Sequence, residues 1–188
     1  MPGLLVAVVA ACLLWPTPAS AQVNTDLGLS AGAMKRFTTG VPAGVSEPGF
    51  GPVFDLRGHL ALLPMVRLGL YAAYDLSPVP HEPSRSFVTG GLHVKLTPPL
   101  LPAPWKTYLF TGFGGGYAAS SLATGGLLEV PLGLGLADRL SPSWELFLEL
   151  GGRFGVATFG QMYEASHAGF AGTDSFALSL TVGVSLTP

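Results

Sequence analysis

Charge is scarce in this chain and cysteine is nearly absent. Asp, Glu, Lys and Arg together make up 11% of the 188 residues, against roughly 25% in an average soluble domain. The formal net charge is −2, and no basic run with interleaved aromatics occurs, so nucleic acid is excluded as a partner. Cys12 is the one cysteine. A chain beginning beyond it has no disulfide framework, thiolate zinc site or cysteine nucleophile. No apolar run is long enough for a membrane-spanning helix. The glycine run Gly112, Gly114, Gly115, Gly116 lacks the lysine of a phosphate-binding loop, and no cofactor is expected. What the chain has instead is apolarity and turn formers: mean hydropathy is +0.49, with 26 Gly and 17 Pro.

The first segment reads as targeting. Leu4 to Trp15 is an apolar run of twelve residues, too short to cross a bilayer as a helix. Pro16 and Pro18 follow, then Ala19-Ser20-Ala21, a small-x-small cleavage site between Ala21 and Gln22. Residues 1–21 are therefore expected to be a signal peptide and 22–188 one domain. Its n-region carries no Lys or Arg, which suggests an upstream start. Cys12 follows Val9-Ala10-Ala11 as in a lipobox, but the apolar run continues past it through Leu13, Leu14 and Trp15, against a lipoprotein.

Beyond Gln22 the chain alternates with period two, the signature of strands. Leu27, Leu29, Ala31 and Ala33 oppose Asp26, Gly28, Ser30 and Gly32. Phe54, Leu56, Leu60 and Leu62 oppose Asp55, Arg57, His59 and Ala61. A third stretch sets Val66, Leu68, Leu70, Ala72 and Tyr74 against Arg67, Gly69, Tyr71, Ala73 and Asp75. The fourth sets Val88, Leu92, Val94 and Leu96 against Thr89, Gly91, His93 and Lys95. In the glycine-rich fifth, Tyr108 and Phe110 oppose Leu109, Thr111 and Phe113, and either row could face inward. Leu128, Val130, Leu132, Leu134 and Leu136 oppose Glu129, Pro131, Gly133, Gly135 and Ala137. Trp144, Leu146, Leu148, Leu150 and Phe154 oppose Glu145, Phe147, Glu149, Gly151 and Arg153. The last stretch sets Phe176 to Leu186 on even positions against Ala177, Ser179, Thr181, Gly183 and Ser185.

The contents of the rows set the polarity. A soluble barrel needs a charged exterior and an apolar lining; here the apolar rows are free of charge and the opposite rows hold it. That is a barrel with lipid outside and polar groups within, and it must close, because an open edge would leave unpaired N–H and C=O groups in hydrocarbon. The sequence thus predicts an all-β, eight-stranded antiparallel up-and-down transmembrane barrel. Connections alternate in length: 63–65, 97–104 and 138–143 on one side, 38–51, 77–86, 118–125 and 157–173 on the other. Short turns belong to the periplasm and longer loops to the exterior, which places both termini in the periplasm. Trp105, Tyr108 and Trp144 on the turn side, with Tyr74, Phe87, Tyr117 and Phe154 on the loop side, fit two interfacial girdles.

The hairpin rhythm over 22–188, with YLFTGFGGGY (108–117), PLGLGL (131–136) and WELFLEL (144–150), resembles the small outer-membrane β-barrel families, the OmpA-like transmembrane domain among them. The resemblance implies outer-membrane lipid and the outer-membrane assembly machinery as partners, an unidentified extracellular ligand, and a monomer. The chain departs from the pattern in finishing Leu186-Thr187-Pro188, where many such barrels finish on an aromatic. Because its last strand lies at the end of the sequence, an appended peptidoglycan-binding domain is not expected.

Eight strands enclose a lumen that side chains can fill. The inward charges Asp55, Arg57, Arg67, Lys95, Glu129, Glu145, Glu149 and Arg153, four of each sign, are expected to pair and plug it, with Glu129, Glu149, Arg57, Arg153 and Lys95 nearest the middle. A gated ion path is the alternative. Glu164, Ser166 and His167, and likewise His81, Glu82 and Ser84, hold the residue types of an acyl-transfer triad as found in lipid A acyltransferases or deacylases. Loops also collect these residues for solvation and turns, and a non-enzymatic role as structure or surface interaction is expected. His59 and His93 face inward on the second and fourth stretches; interior hydrogen bonding is expected of them, not a metal site, because a third ligand is missing.

Overall fold

The computed structural model describes residues 25–38, 47–121, 124–160 and 174–187; the signal segment with Ala21 and Gln22 lies outside these. Eight strands follow in order: β1 (Thr25–Thr38), β2 (Phe50–Leu63), β3 (Val66–Val79), β4 (Glu82–Leu96), β5 (Trp105–Ala119), β6 (Thr124–Arg139), β7 (Trp144–Gly160) and β8 (Asp174–Leu186). Each pairs antiparallel with its sequence neighbours, and β1 pairs with both β2 and β8, which closes the barrel. Closure leaves no strand edge, so the backbone groups of the sheet bond within it.

The burial pattern follows the rows. Leu29, Leu70, Leu134 and Leu180 on the outward rows are more than half exposed, while Glu129 and Arg36 inside are 0% exposed. Such an exterior would be an aggregation-prone surface in water, whereas in hydrocarbon it has no desolvation cost. β5 settles the same way: Tyr108 and Phe110 are buried inside, and Leu109, Phe113 and Tyr117 are exposed outside. Tyr108 and Phe87, read from sequence as girdle residues, are therefore interior side chains, at 3% and 5% exposure. The loop-end girdle is instead Phe37, Phe50, Phe54, Tyr74, Tyr117 and Phe154, all exposed.

The connections differ from the expected pattern at two points: only residues 120–123 join β5 to β6, no longer than 140–143 at the opposite end, and the β3–β4 connection is a tight turn. Val79 pairs with Glu82, so the stretch 77–86 is two paired strand ends around the turn residues Pro80 and His81. Pro80 supplies a fixed φ, and His81 takes the left-handed region at φ 64°, as the third residue of a type II turn does. This hairpin is as tight as the Pro64-Met65 turn at the opposite end. The amide of Gly49 donates to Pro78 O at 2.8 Å, tying the start of β2 to that hairpin.

Candidate functional site

The barrel interior is the site that the fold builds. All eight charges read from the sequence lie on inward rows, and the structure adds Asp26, Arg36, Asp75 and Arg85, all buried. Lys106 joins them through an ion pair to Glu145.

The larger cluster runs from the loop end to mid-barrel. Arg36, at the end of β1, donates to both oxygens of Asp75 at 3.0 and 2.8 Å and to Glu129 at 3.1 Å. Its guanidinium lies 4.0 Å from the ring centre of Phe87. Glu129 accepts from Thr89 Oγ1 at 3.1 Å and from Arg153 at 3.3 Å. Arg153 also donates to Asp55, which in turn lies 3.5 Å from Arg57. Arg57 forks onto Glu149 through two bonds of 2.5 Å. Glu149 further accepts from the Tyr108 hydroxyl at 2.7 Å and from Thr181 at 3.4 Å. Read along this path, the signs alternate without a break: Asp75, Arg36, Glu129, Arg153, Asp55, Arg57, Glu149. Buried charges persist only when paired and hydrogen-bonded, and here every member touches opposite charge.

The smaller cluster sits toward the turn end. Asp26 accepts from Arg67 at 2.6 Å and lies 3.8 Å from Lys95 Nζ. Its other oxygen meets His59 Nδ1 at 2.5 Å, and His59 Nε2 meets His93 Nδ1 at 2.7 Å. A carboxylate only accepts, so a neutral His59 donates from Nδ1 and accepts at Nε2 from the Nδ1–H of His93. The two imidazoles thus serve interior hydrogen bonding. Among the described residues no three His, Cys, Asp or Glu side chains gather as metal ligands. Lys95 belongs to this cluster, one residue from the end of β4 and 4.3 Å from the Tyr108 ring centre; the middle holds Asp55, Arg57, Glu149 and Arg153.

Aromatic rings fill what the charges leave. Tyr108, Phe110 and Phe147 form one buried group with Ala137. Each stands opposite a glycine: Tyr108 pairs with Gly135, Phe110 with Gly133 and Phe147 with Gly183. A Cβ on Gly133 or Gly183 would come within 2.5 Å of the facing ring, so these rings lie flat over bare backbone. A cavity of about 20 Å³ remains between Tyr71, His93, Phe110, Arg57 and Arg153, a space on the order of one water molecule.

Of the clusters weighed for catalysis, His81 occupies the β3–β4 turn with Glu82 beginning β4. Glu164, Ser166 and His167 lie outside the described residues.

No family model and no curated protein matches the chain. Solved structures do. Neisserial surface protein A superposes with a TM-score of 0.59 at 14% identity, over 87% of this chain and 97% of that one. The N-terminal β-barrel domain of Pseudomonas aeruginosa OprF follows at 0.48 and 11%, over 85% and 96%. Ail, the attachment invasion locus protein of Yersinia pestis, gives 0.48 and 9%, over 88% and 99%. At such identity the likeness to Neisserial surface protein A is one of architecture: this chain has the fold of the small eight-stranded outer-membrane β-barrels.

Proposed function

We propose that this protein is a non-enzymatic integral barrel of a bacterial outer membrane. In this reading its polar interior seals the lumen, both termini are periplasmic, and the work is done at the loop end, as envelope structure or by surface interaction. The observation that carries the reading is the unbroken alternation from Asp75 to Glu149. Seven paired charges, contributed by β1, β2, β3, β6 and β7, cross-link the lumen wall from several sides. An ion moving through would have to part pairs that are costly to leave unpaired. Outward rows whose described side chains carry no charge apart from Lys35 and Asp138, near the two ends, support a lipid surround, and a cavity of about 20 Å³ is far below a hydrated path.

Liposome swelling tests the seal. Proteoliposomes of the folded protein should swell in a monosaccharide or small-salt gradient no faster than protein-free vesicles; swelling that scales with protein content overturns the reading.

A further inference from the structure

The lipid-facing surface carries one charge that the interior network does not explain. Lys35 lies on the outward row of β1, in line with Ala31, Ala33 and Phe37, and pairs with Phe50 on β2 and Leu178 on β8. Apart from Asp138 near the turn end, it is the only charged side chain on an outward row among the residues whose side chains are described. Its ammonium lies 5.1 Å from the ring centre of Phe37 and 5.8 Å from that of Phe50, within cation–π range. The rings cover part of the ammonium, and no carboxylate pairs with it among the described residues. An unpaired cation against hydrocarbon is costly, so its height on the barrel matters.

Leu27 begins the apolar part of the same row, eight positions before Lys35. At about 3.3 Å per residue and a tilt of about 40°, eight residues rise roughly 20 Å along the barrel axis. The lysine stem adds several ångströms, which brings the ammonium to the top of an apolar band about 25 Å tall. The aromatic belt agrees with that height: Phe37 stacks on Phe176 at 6.3 Å, and Phe176 meets Phe154 at 4.7 Å. A cation at the level where lipid headgroups begin, flanked by rings and without a counter-charge among the described residues, is complementary to a lipid phosphate.

We propose that Lys35, with Phe37 and Phe50, binds the phosphate of a lipid headgroup in the leaflet at the loop end. The placement given under Proposed function makes that lipid a phosphorylated glycolipid of the outer leaflet, and the proposal rests on that placement. The phosphate sits on the ammonium as a charge-assisted contact, while the rings lie against the first methylenes of the acyl chains.

Native mass spectrometry of the detergent-folded full chain tests this with three probes: diphosphorylated lipid A, its dephosphorylated form, and phosphatidylglycerol. The wild type should retain the diphosphorylated glycolipid roughly tenfold better than the dephosphorylated one, as about 1.4 kcal/mol of added contact gives. Lys35→Ala and Lys35→Gln should lose that preference, and Lys35→Arg should keep it. Equal retention by wild type and Lys35→Ala overturns the proposal, as does equal retention of both glycolipids. A Lys35-dependent hold on phosphatidylglycerol as strong as that on lipid A overturns the glycolipid assignment. A wild-type chain that folds but never inserts into vesicles would instead fail the membrane reading beneath it.

Discussion

Arg57 and Glu149 show what one interior pair is worth. Both are largely buried, and the guanidinium forks onto both carboxylate oxygens. Removing one partner of such a pair leaves an uncompensated charge and costs about 3–5 kcal/mol. Glu149→Ala should therefore lower the free energy of unfolding from lipid vesicles in urea by that amount. Arg57→Met combined with Glu149→Leu should cost less than the single change, because no orphan charge remains; a double variant as unstable as the sum of the two singles would argue against the pairing. The sequence already placed Arg57 and Glu149 on inward rows. It could not give their partnership, because β2 and β7 meet across the lumen and not in the sheet. Asp26 and Asp75 also stood on inward rows without being counted among the plug charges. Arg36 and Arg85 were missed because the alternation was traced too short: β1 runs to Thr38, and β4 starts at Glu82.

Among the elements, β5 was the least legible, and the reason is physical. Both of its rows carry large apolar groups, with Tyr108 and Phe110 facing Leu109 and Phe113, so composition does not mark a side. Register decides it, because Tyr108 and Phe110 fall opposite Gly135 and Gly133 on β6, where a ring has room. The three atoms nearest a Cβ at Gly135 all belong to the Tyr108 side chain, with Cε2 at 2.5 Å. Gly135→Ala should push the ring off its seat and away from Glu149, with a loss of about 1–3 kcal/mol typical of overpacking. In urea titrations Tyr108→Ala should make the same glycine change nearly neutral, a coupling expected of side chains in contact; additive losses would contradict the seating. The β3–β4 hairpin was read as a loop because Pro78, Pro80 and His81 look like loop composition. A turn with proline followed by a left-handed residue uses the same residues while leaving the strands paired.

The whole molecule is an inverted globule, polar within and apolar without, and at this scale the sequence was most readable. Period-two alternation needs no long-range information, and the charge content of the rows orients every strand except β5. Closure, strand order and antiparallel pairing follow once eight such strands must satisfy their backbone in lipid. What no row could reveal is that seven of the charges join into one alternating path, since that depends on how the strands stagger around the barrel. In the proposed function this path seals the lumen. Single-channel recording of the purified, folded protein in planar bilayers tests it most directly: no steady conductance above the bare membrane is expected, and a stable, large open level from the pure protein would contradict the claim.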